Sequence, residues 1–323
     1  MPGLPRLKVL LVDPIAAAGE EALARGAELV RAPDSAPDTI RRLAAGCDGI
    51  ITRSKLPDDV FDAAPRVRAV AIHGTGVDLV PLACATARGV KVSNIPGGNA
   101  RSVAEYCVLA MLMLARNILP IVHALKDTTW DAARALGAGT HEIAGMTLGI
   151  VGVGAIGSQL ARVARQGFGM RVLGTQRRLD RLPPEALPAD LKTLVKASDF
   201  VVLACPLTPE TQHLFDRERI ARMKQSAWLI NVGRGPVIEE AALVEALRER
   251  RIAGAMLDVY EHYRLEPGHP LLSLDNVVLT PHLSGMTQES RERMSVAAAE
   301  EMLRMLAGER PRNFVNPQAA AQG

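Results

Sequence analysis

The sequence predicts an α/β protein of two doubly wound, mostly parallel sheets, and three observations carry that expectation. Short apolar runs alternate with helix-like segments from the start of the chain. The alternation begins afresh near residue 147, after a long Met- and Leu-rich helical stretch. A length of 323 residues also suits two domains, each large enough for its own core. Parallel strands covered on both faces read as continuous apolar runs, and that is the pattern here.

In chain order, the first strands are expected at "KVLLVD", "AELVRA", "GIITRS", "VRAVAIHG" and "VKVSNIP", with helices between them such as 15–25 and 38–45. The helix "SVAEYCVLAMLMLARNIL" follows from Ser102, its apolar stripe read as core or subunit packing. The second series runs through "MTLGIVG", "RVLG", "DFVVLACP", "AWLINVG", "IAGAMLDVY" and "NVVLTPH". A last helix, 287–307, is placed to cross back to the first domain. No repeat of solenoid period and no low-complexity linker interrupts this plan.

Composition removes several function classes. A net charge of +3 with scattered arginines, and only 3% aromatic residues, give no support to nucleic-acid binding. Cys47, Cys84, Cys107 and Cys205 show no CxxC spacing and no histidine cluster, so neither a metal site nor a disulfide is expected. No signal-peptide pattern or membrane-length apolar run is seen, and the expected location is the cytoplasm.

"TLGIVGVGAIGSQLARVA" is a strand, a glycine turn and a helix in the order that binds a dinucleotide. Gly152 allows the tight turn, Gly154 lets backbone approach a pyrophosphate, and Gly157 lets helix and strand pack closely. The end of the next strand sets cofactor choice. It reads "GTQRRLDR", with Gln176 where an acid would receive the ribose hydroxyls of NAD, then Arg177 and Arg178. Guanidinium groups suit a 2′-phosphate, so NADP(H) is favoured and NAD(H) is the alternative.

Three further segments, "HGTGVD" (73–78), "NVGRGPVIEEAAL" (231–243) and "LTPHLSG" (279–285), join the glycine motif. With "VSNIPGGNARSVAEY", "CPLTPETQHLF", "GAMLDV" and "NFVNP" they resemble the D-isomer-specific 2-hydroxyacid dehydrogenase family over nearly the whole chain. The resemblance implies two Rossmann-like domains with a cleft between them, a flavodoxin-like substrate domain (1–98 plus 288–323), a dinucleotide domain (99–287) and a homodimer. It implies reduction of a small anionic 2-oxo acid to the D-2-hydroxy acid. Arg234 would bind carboxylate and carbonyl, and His282 would exchange the proton. Thr75 and Gly76 would hold the substrate carboxylate through their N–H groups, and Arg53 and Ser54 would reach its far end. Val103, Ala155, Ile156, Cys205, Pro206, Thr211, Val232, Gly233, Asp258, Ser284 and Gly285 would line the cofactor.

The chemistry asks for such groups in its own right. Hydride arriving at a keto carbon leaves an alkoxide, which needs positive charge and a proton. Arginine stays charged, and histidine exchanges protons near neutral pH. The departure from the family lies in "DVYEHYRLEPGHP". Laid between Asp258 and His269-Pro270, the family's catalytic glutamate falls on Tyr263. Three arrangements follow: Tyr263 contacts His282; Glu266, or less readily Glu261, fills the vacancy in a remodelled loop; or catalysis is lost and a cofactor-sensing binding protein remains. The first is preferred, because the related formate dehydrogenases also carry a non-acid here. His282 should then lose its proton at lower pH than in relatives with the acid. A formate- or phosphite-type dehydrogenase is the enzyme alternative.

Overall fold

The computed structural model describes residues 6–321. It divides into two compact units, Met1–Asn99 with Met286–Gly323, and Ala100–Gly285. The first unit begins β1 (Leu7–Leu11), α1 (Ala17–Ala24), β2 (Ala27–Arg31), α2 (Pro37–Ala44) and β3 (Gly49–Thr52). It continues α3 (Val60–Ala63), β4 (Ala69–Ile72), α4 (Leu82–Ala87) and β5 (Lys91–Ser93). The strands pair in the order β2-β1-β3-β4-β5, all parallel, which is the flavodoxin-like arrangement. Both faces of the sheet are covered: Leu10, Ile50 and Val70 enter one apolar cluster, while Val9, Leu11 and Ile51 enter another. That two-sided burial is why these strands read as unbroken apolar runs.

The second unit opens with α5 (Ala100–Ala115), α6 (Ile118–Asp127) and α7 (Trp130–Ala135). The helix expected to run from Ser102 to Leu119 stops earlier. Asn117 adopts a left-handed conformation (φ 50°), and the chain turns there into α6. Its apolar stripe is core: Val103, Cys107, Ala110 and Met111 pack with Leu160, Ala161 and Ala164. There follow β6 (Thr147–Val151), α8 (Ala155–Phe168), β7 (Arg171–Thr175), β8 (Leu187–Pro188), α9 (Leu191–Ala197) and β9 (Phe200–Leu203). Next come α10 (Arg217–Ala221), β10 (Trp228–Asn231), α11 (Glu240–Arg248), β11 (Gly254–Leu257) and β12 (Val277–Leu279). Seven parallel strands lie in the order β12-β11-β10-β9-β6-β7-β8, the doubly wound dinucleotide-binding topology with one strand added. The two-residue β8 was not anticipated; its Pro188 is tolerated because the strand is at the edge. Among the described residues no single helix is long and apolar enough to cross a membrane.

The last helix, α12 (Gln288–Leu306), belongs to the first unit, capped by the Thr287 hydroxyl. Met294, Ala298, Met302 and Met305 close the second face of that sheet. Polar contacts tie it in as well: His73, at the end of β4 and 4% exposed, places Nε2 2.9 Å from Ser295 Oγ. The same hydroxyl accepts a hydrogen bond from Ala16 N. Burial pushes the His73 imidazole down from its usual 6.5 to about 4. The folded protein therefore holds it neutral while the unfolded chain takes up a proton below pH 6.5. Its contribution to stability is complete above that pH and falls away as pH drops to 4, by about 3 kcal/mol. Thermal midpoints of His73→Gln measured across this window should fall less steeply than those of the unchanged protein; equal slopes would refute the assignment.

Candidate active site

The nucleotide elements meet where the strand order of the second sheet reverses, between β6 and β9. Gly152 follows β6 with φ 93°, and a Cβ there would meet the Cys205 nitrogen at 2.6 Å. A Cβ on Gly157 would lie 2.7 Å from the Gly152 carbonyl, so α8 packs directly on the turn. Gly154 is different. Its φ is an ordinary −81°, it is exposed, and no protein atom lies within 4 Å of where its Cβ would be. Packing does not require that glycine, whereas a pyrophosphate laid against the backbone would. Gly154 is also the N-cap of α8 and offers no side-chain oxygen, so the N–H groups of Ala155 and Ile156 remain for an external acceptor. The residues fit a dinucleotide.

At the end of β7, the Gln176 side chain donates to the Arg178 carbonyl (2.8 Å). Arg178 is paired with Asp180 (2.8 Å), whose carboxyl it holds below the usual range. Arg177 is exposed beside it. Beyond β9, Cys205 is buried, and burial pushes its thiol up to about 11, which keeps it neutral. The Thr211 hydroxyl donates to the Pro206 carbonyl (2.7 Å) and accepts from Thr208 N, which closes this loop on itself. Val103 and Val232 are buried within the core cluster behind the site.

Arg234, Asp258 and His282 follow β10, β11 and β12, three neighbouring strands. Buried Asn231 shapes the first turn: its Oδ1 accepts from Gly233 N and its Nδ2 donates to the Arg234 carbonyl, both at 3.0 Å. The Arg234 guanidinium folds back to donate to the Gly233 carbonyl (2.9 Å). Asp258 is fully buried, and its carboxylate holds the turn that carries His282. Oδ1 accepts from Leu283 N (2.8 Å) and Thr280 Oγ1 (2.7 Å), and Oδ2 accepts from Ser284 N (2.9 Å). The His282 N–H donates to the Asp258 carbonyl, and His282 sits at φ 54°, uncommon for a side-chain-bearing residue. Gly285 closes the turn, half-buried. Tyr106 from α5 hydrogen-bonds the Thr280 hydroxyl, and Tyr260 OH donates to the Thr280 carbonyl (2.8 Å).

The loop after Asp258 brings Tyr263 to His282. The rings stand edge to face at 71°, their centroids 6.0 Å apart. Glu261 lies near His213 (3.9 Å), while Glu266 lines a cavity with Tyr260, His262 and Arg264. In the first unit, Arg53 and Ser54 follow β3 at that sheet's own reversal point. Asp13 fixes them, accepting from Arg53 N (2.7 Å), Ser54 N (2.9 Å) and Ser54 Oγ (2.6 Å). Thr75 and Gly76 follow β4; the Thr75 hydroxyl donates to the Ile95 carbonyl, and Asn94 donates to the Thr75 carbonyl.

A model of the "D-isomer specific 2-hydroxyacid dehydrogenase, NAD binding domain" matches residues 108–284, more than half of the chain. The chain belongs to this family. A glyoxylate reductase of Korarchaeum cryptofilum is 40% identical over 298 residues, covering 89% of this chain and 88% of that one. Among solved structures, an NADPH-dependent glyoxylate/hydroxypyruvate reductase from Sinorhizobium meliloti, in complex with NADP and malonate, superposes with a TM-score of 0.84. It is 28% identical and covers 97% of this chain and 98% of its own. An NAD-dependent formate dehydrogenase from Staphylococcus aureus in complex with NAD has the same TM-score and identity, covering 94% and 97%. This 2-hydroxyacid dehydrogenase is thus an oxidoreductase that uses a nicotinamide cofactor.

Several residues that shape these turns carried no signal in the sequence. Asn231, Thr280, Tyr106, Tyr260 and Asp13 act through contacts between distant segments, and each type is commonplace where it stands. Asp258 has a structural task beyond the one its motif suggested. Among the described residues no group of three or more His, Cys, Asp or Glu side chains comes together to hold a metal ion. The glycine turn separates two kinds of constraint. Gly154→Val should keep its melting temperature within about 2 °C of the unchanged protein yet lose nucleotide binding, measured by fluorescence titration. Gly157→Val should lower the melting temperature sharply, because its side chain enters occupied space. Retained nucleotide affinity in Gly154→Val would exclude the cradle.

Proposed function

We propose that this dehydrogenase reduces a small 2-oxo acid of the glyoxylate or hydroxypyruvate type to the D-2-hydroxy acid, with NADP(H) preferred over NAD(H). The observation that carries the reading is the row of Arg234, Asp258 and His282 on turns after three adjacent strands, beside a glycine turn suited to a dinucleotide. When bound, the nicotinamide supplies a hydride to the carbonyl carbon. Arg234 grips the substrate carboxylate and carbonyl oxygen and favours the charge that builds there. His282 gives its proton to that oxygen, so one hydride and one proton turn the ketone into the alcohol. Asp258 acts by holding the His282 turn, with the cofactor as its second expected contact. Thr75, Gly76, Arg53 and Ser54 are assigned to the substrate.

Arg177 and Arg178, with Gln176 in place of an acid, support the 2′-phosphate. Since Asp180 already engages Arg178, Arg177 is the freer of the two to receive it. Four free thiols suit a reducing cytoplasm. A homodimer is supported by an exposed apolar face on successive elements: Ile118, Val122 and Leu125 on α6, then Trp130 (66% exposed) and Leu136.

Oxidation of NADPH and NADH across a panel of 2-oxo acids tests the reading. Turnover of glyoxylate or hydroxypyruvate is expected, with NADPH the better donor. His282→Gln should lower kcat by about 100-fold or more while nucleotide affinity is kept. Tyr263→Phe and Glu266→Gln should both retain most activity; loss in Glu266→Gln alone would show that the carboxylate acts instead. No turnover with tight nucleotide binding would identify a sensing protein, and formate oxidation would identify the other dehydrogenase class. Val122→Glu with Trp130→Glu should halve the mass seen by sedimentation; an unchanged mass would place any interface elsewhere.

A further inference from the structure

We propose that Glu240 is a positioning residue for catalysis: it clamps both ends of the loop that carries Tyr263 and thereby sets what stands against His282. The proposal rests on the role given to His282 above. Glu240 is the first residue of α11 and is 8% exposed. Its Oε2 accepts from the Glu261 N–H (3.1 Å), and its Oε1 meets His269 Nε2 at 3.0 Å. His269 Nδ1 accepts from Leu271 N. That bond leaves Nε2 as the protonated nitrogen, so the ring donates to Glu240 and joins the loop end to the following turn. One carboxylate therefore receives both the outgoing and the returning end of the segment 261–269.

The segment has little else to fix it. It contains no helix or strand, and its single packed apolar side chain is Leu265. It arches over a cavity of about 300 Å³ lined by Tyr260, His262, Arg264 and Glu266, with Glu240 and His269 in its wall. Leu265 apart, the loop is located by its anchors. A further constraint lies at its start. Gly235 is pressed against the Tyr260–Glu261 peptide so closely that a Cβ would collide with it. The turn of Arg234 and the beginning of the Tyr263 loop are thus laid backbone on backbone, and Glu240 holds the register of that contact. Two donors converge on Glu240, a demand that a carboxylate meets and an amide does not.

The test uses the full-length protein. In Glu240→Gln one of the two donors faces an amide N–H₂, at a cost that corresponds to about 10-fold or more in loop opening. Amide hydrogen exchange in 261–269 should accelerate accordingly, with β12 unchanged. kcat for the 2-oxo acid should fall by about 10-fold with the KM for NADPH within about 2-fold. His269→Gln, whose amide still donates to Glu240, should retain most of the turnover, and His269→Leu should behave like Glu240→Gln. In a Tyr263→Ala background, Glu240→Gln should cause little further loss of kcat, because both changes remove the same contact. Unchanged exchange in 261–269 would overturn the clamp. Faster exchange with unchanged kcat, or fully additive losses, would overturn its catalytic role. A chain that turns over no 2-oxo acid would fail the functional reading, while the exchange result would still decide the clamp.

Discussion

One buried carboxylate organises the turn that carries His282. Asp258 leaves β11 fully enclosed, and the amides of Leu283 and Ser284 with the Thr280 hydroxyl all donate to it. A buried carboxylate in such a place is tolerated when donors answer it, here three of them, and hydrogen bonds to a charged group are worth about 1.5–3 kcal/mol each. The turn that answers it is the turn that carries His282. The left-handed backbone of His282 persists because the residues on either side are held by that network, with Tyr106 and Tyr260 securing Thr280.

The parallel sheet explains why the functional groups gather where they do. The central strands β6, β9, β10 and β11 are hydrogen-bonded on both sides and almost wholly buried, so polar side chains emerge at the strand ends. Arg234, Asp258 and His282 come off adjacent strands, and the glycine turn comes off β6 at the reversal of strand order. Here backbone makes much of the site: Gly152 against Cys205, Gly157 against Gly152, and Gly235 against Tyr260 are contacts that no larger residue permits. The first unit repeats the principle on a smaller scale, with Asp13 gripping Arg53 and Ser54 beside its own reversal point.

An aromatic ring, that of Tyr263, stands against His282. A carboxylate beside an imidazole would hold its proton by charge; an aromatic edge supplies contact area and a weaker, oriented interaction. The acids that remain nearby have other tasks. Glu240 holds the loop ends, Glu261 lies toward His213, and Glu266 faces the cavity.

Much of this was legible in the linear chain. Both sheets could be read from apolar runs, because strands buried on two faces must be apolar at nearly every position. The glycine motif, Arg234 and His282 stood out because their chemistry is local: a turn that needs no Cβ, a permanent charge, an imidazole. The break of the long helix at Asn117, the anchoring of the His282 turn by Asp258, the clamp by Glu240 and the grip of Asp13 on Ser54 were not legible. Each depends on which distant segments meet, and a carboxylate that will be buried looks in sequence like one that will be solvated. Residue types and their order determined the class of protein and its two-sheet architecture. The shape of the turns around His282 and Tyr263 was decided by the tertiary structure, where a few hydrogen bonds to the buried carboxylates of Asp258 and Glu240 select one loop conformation.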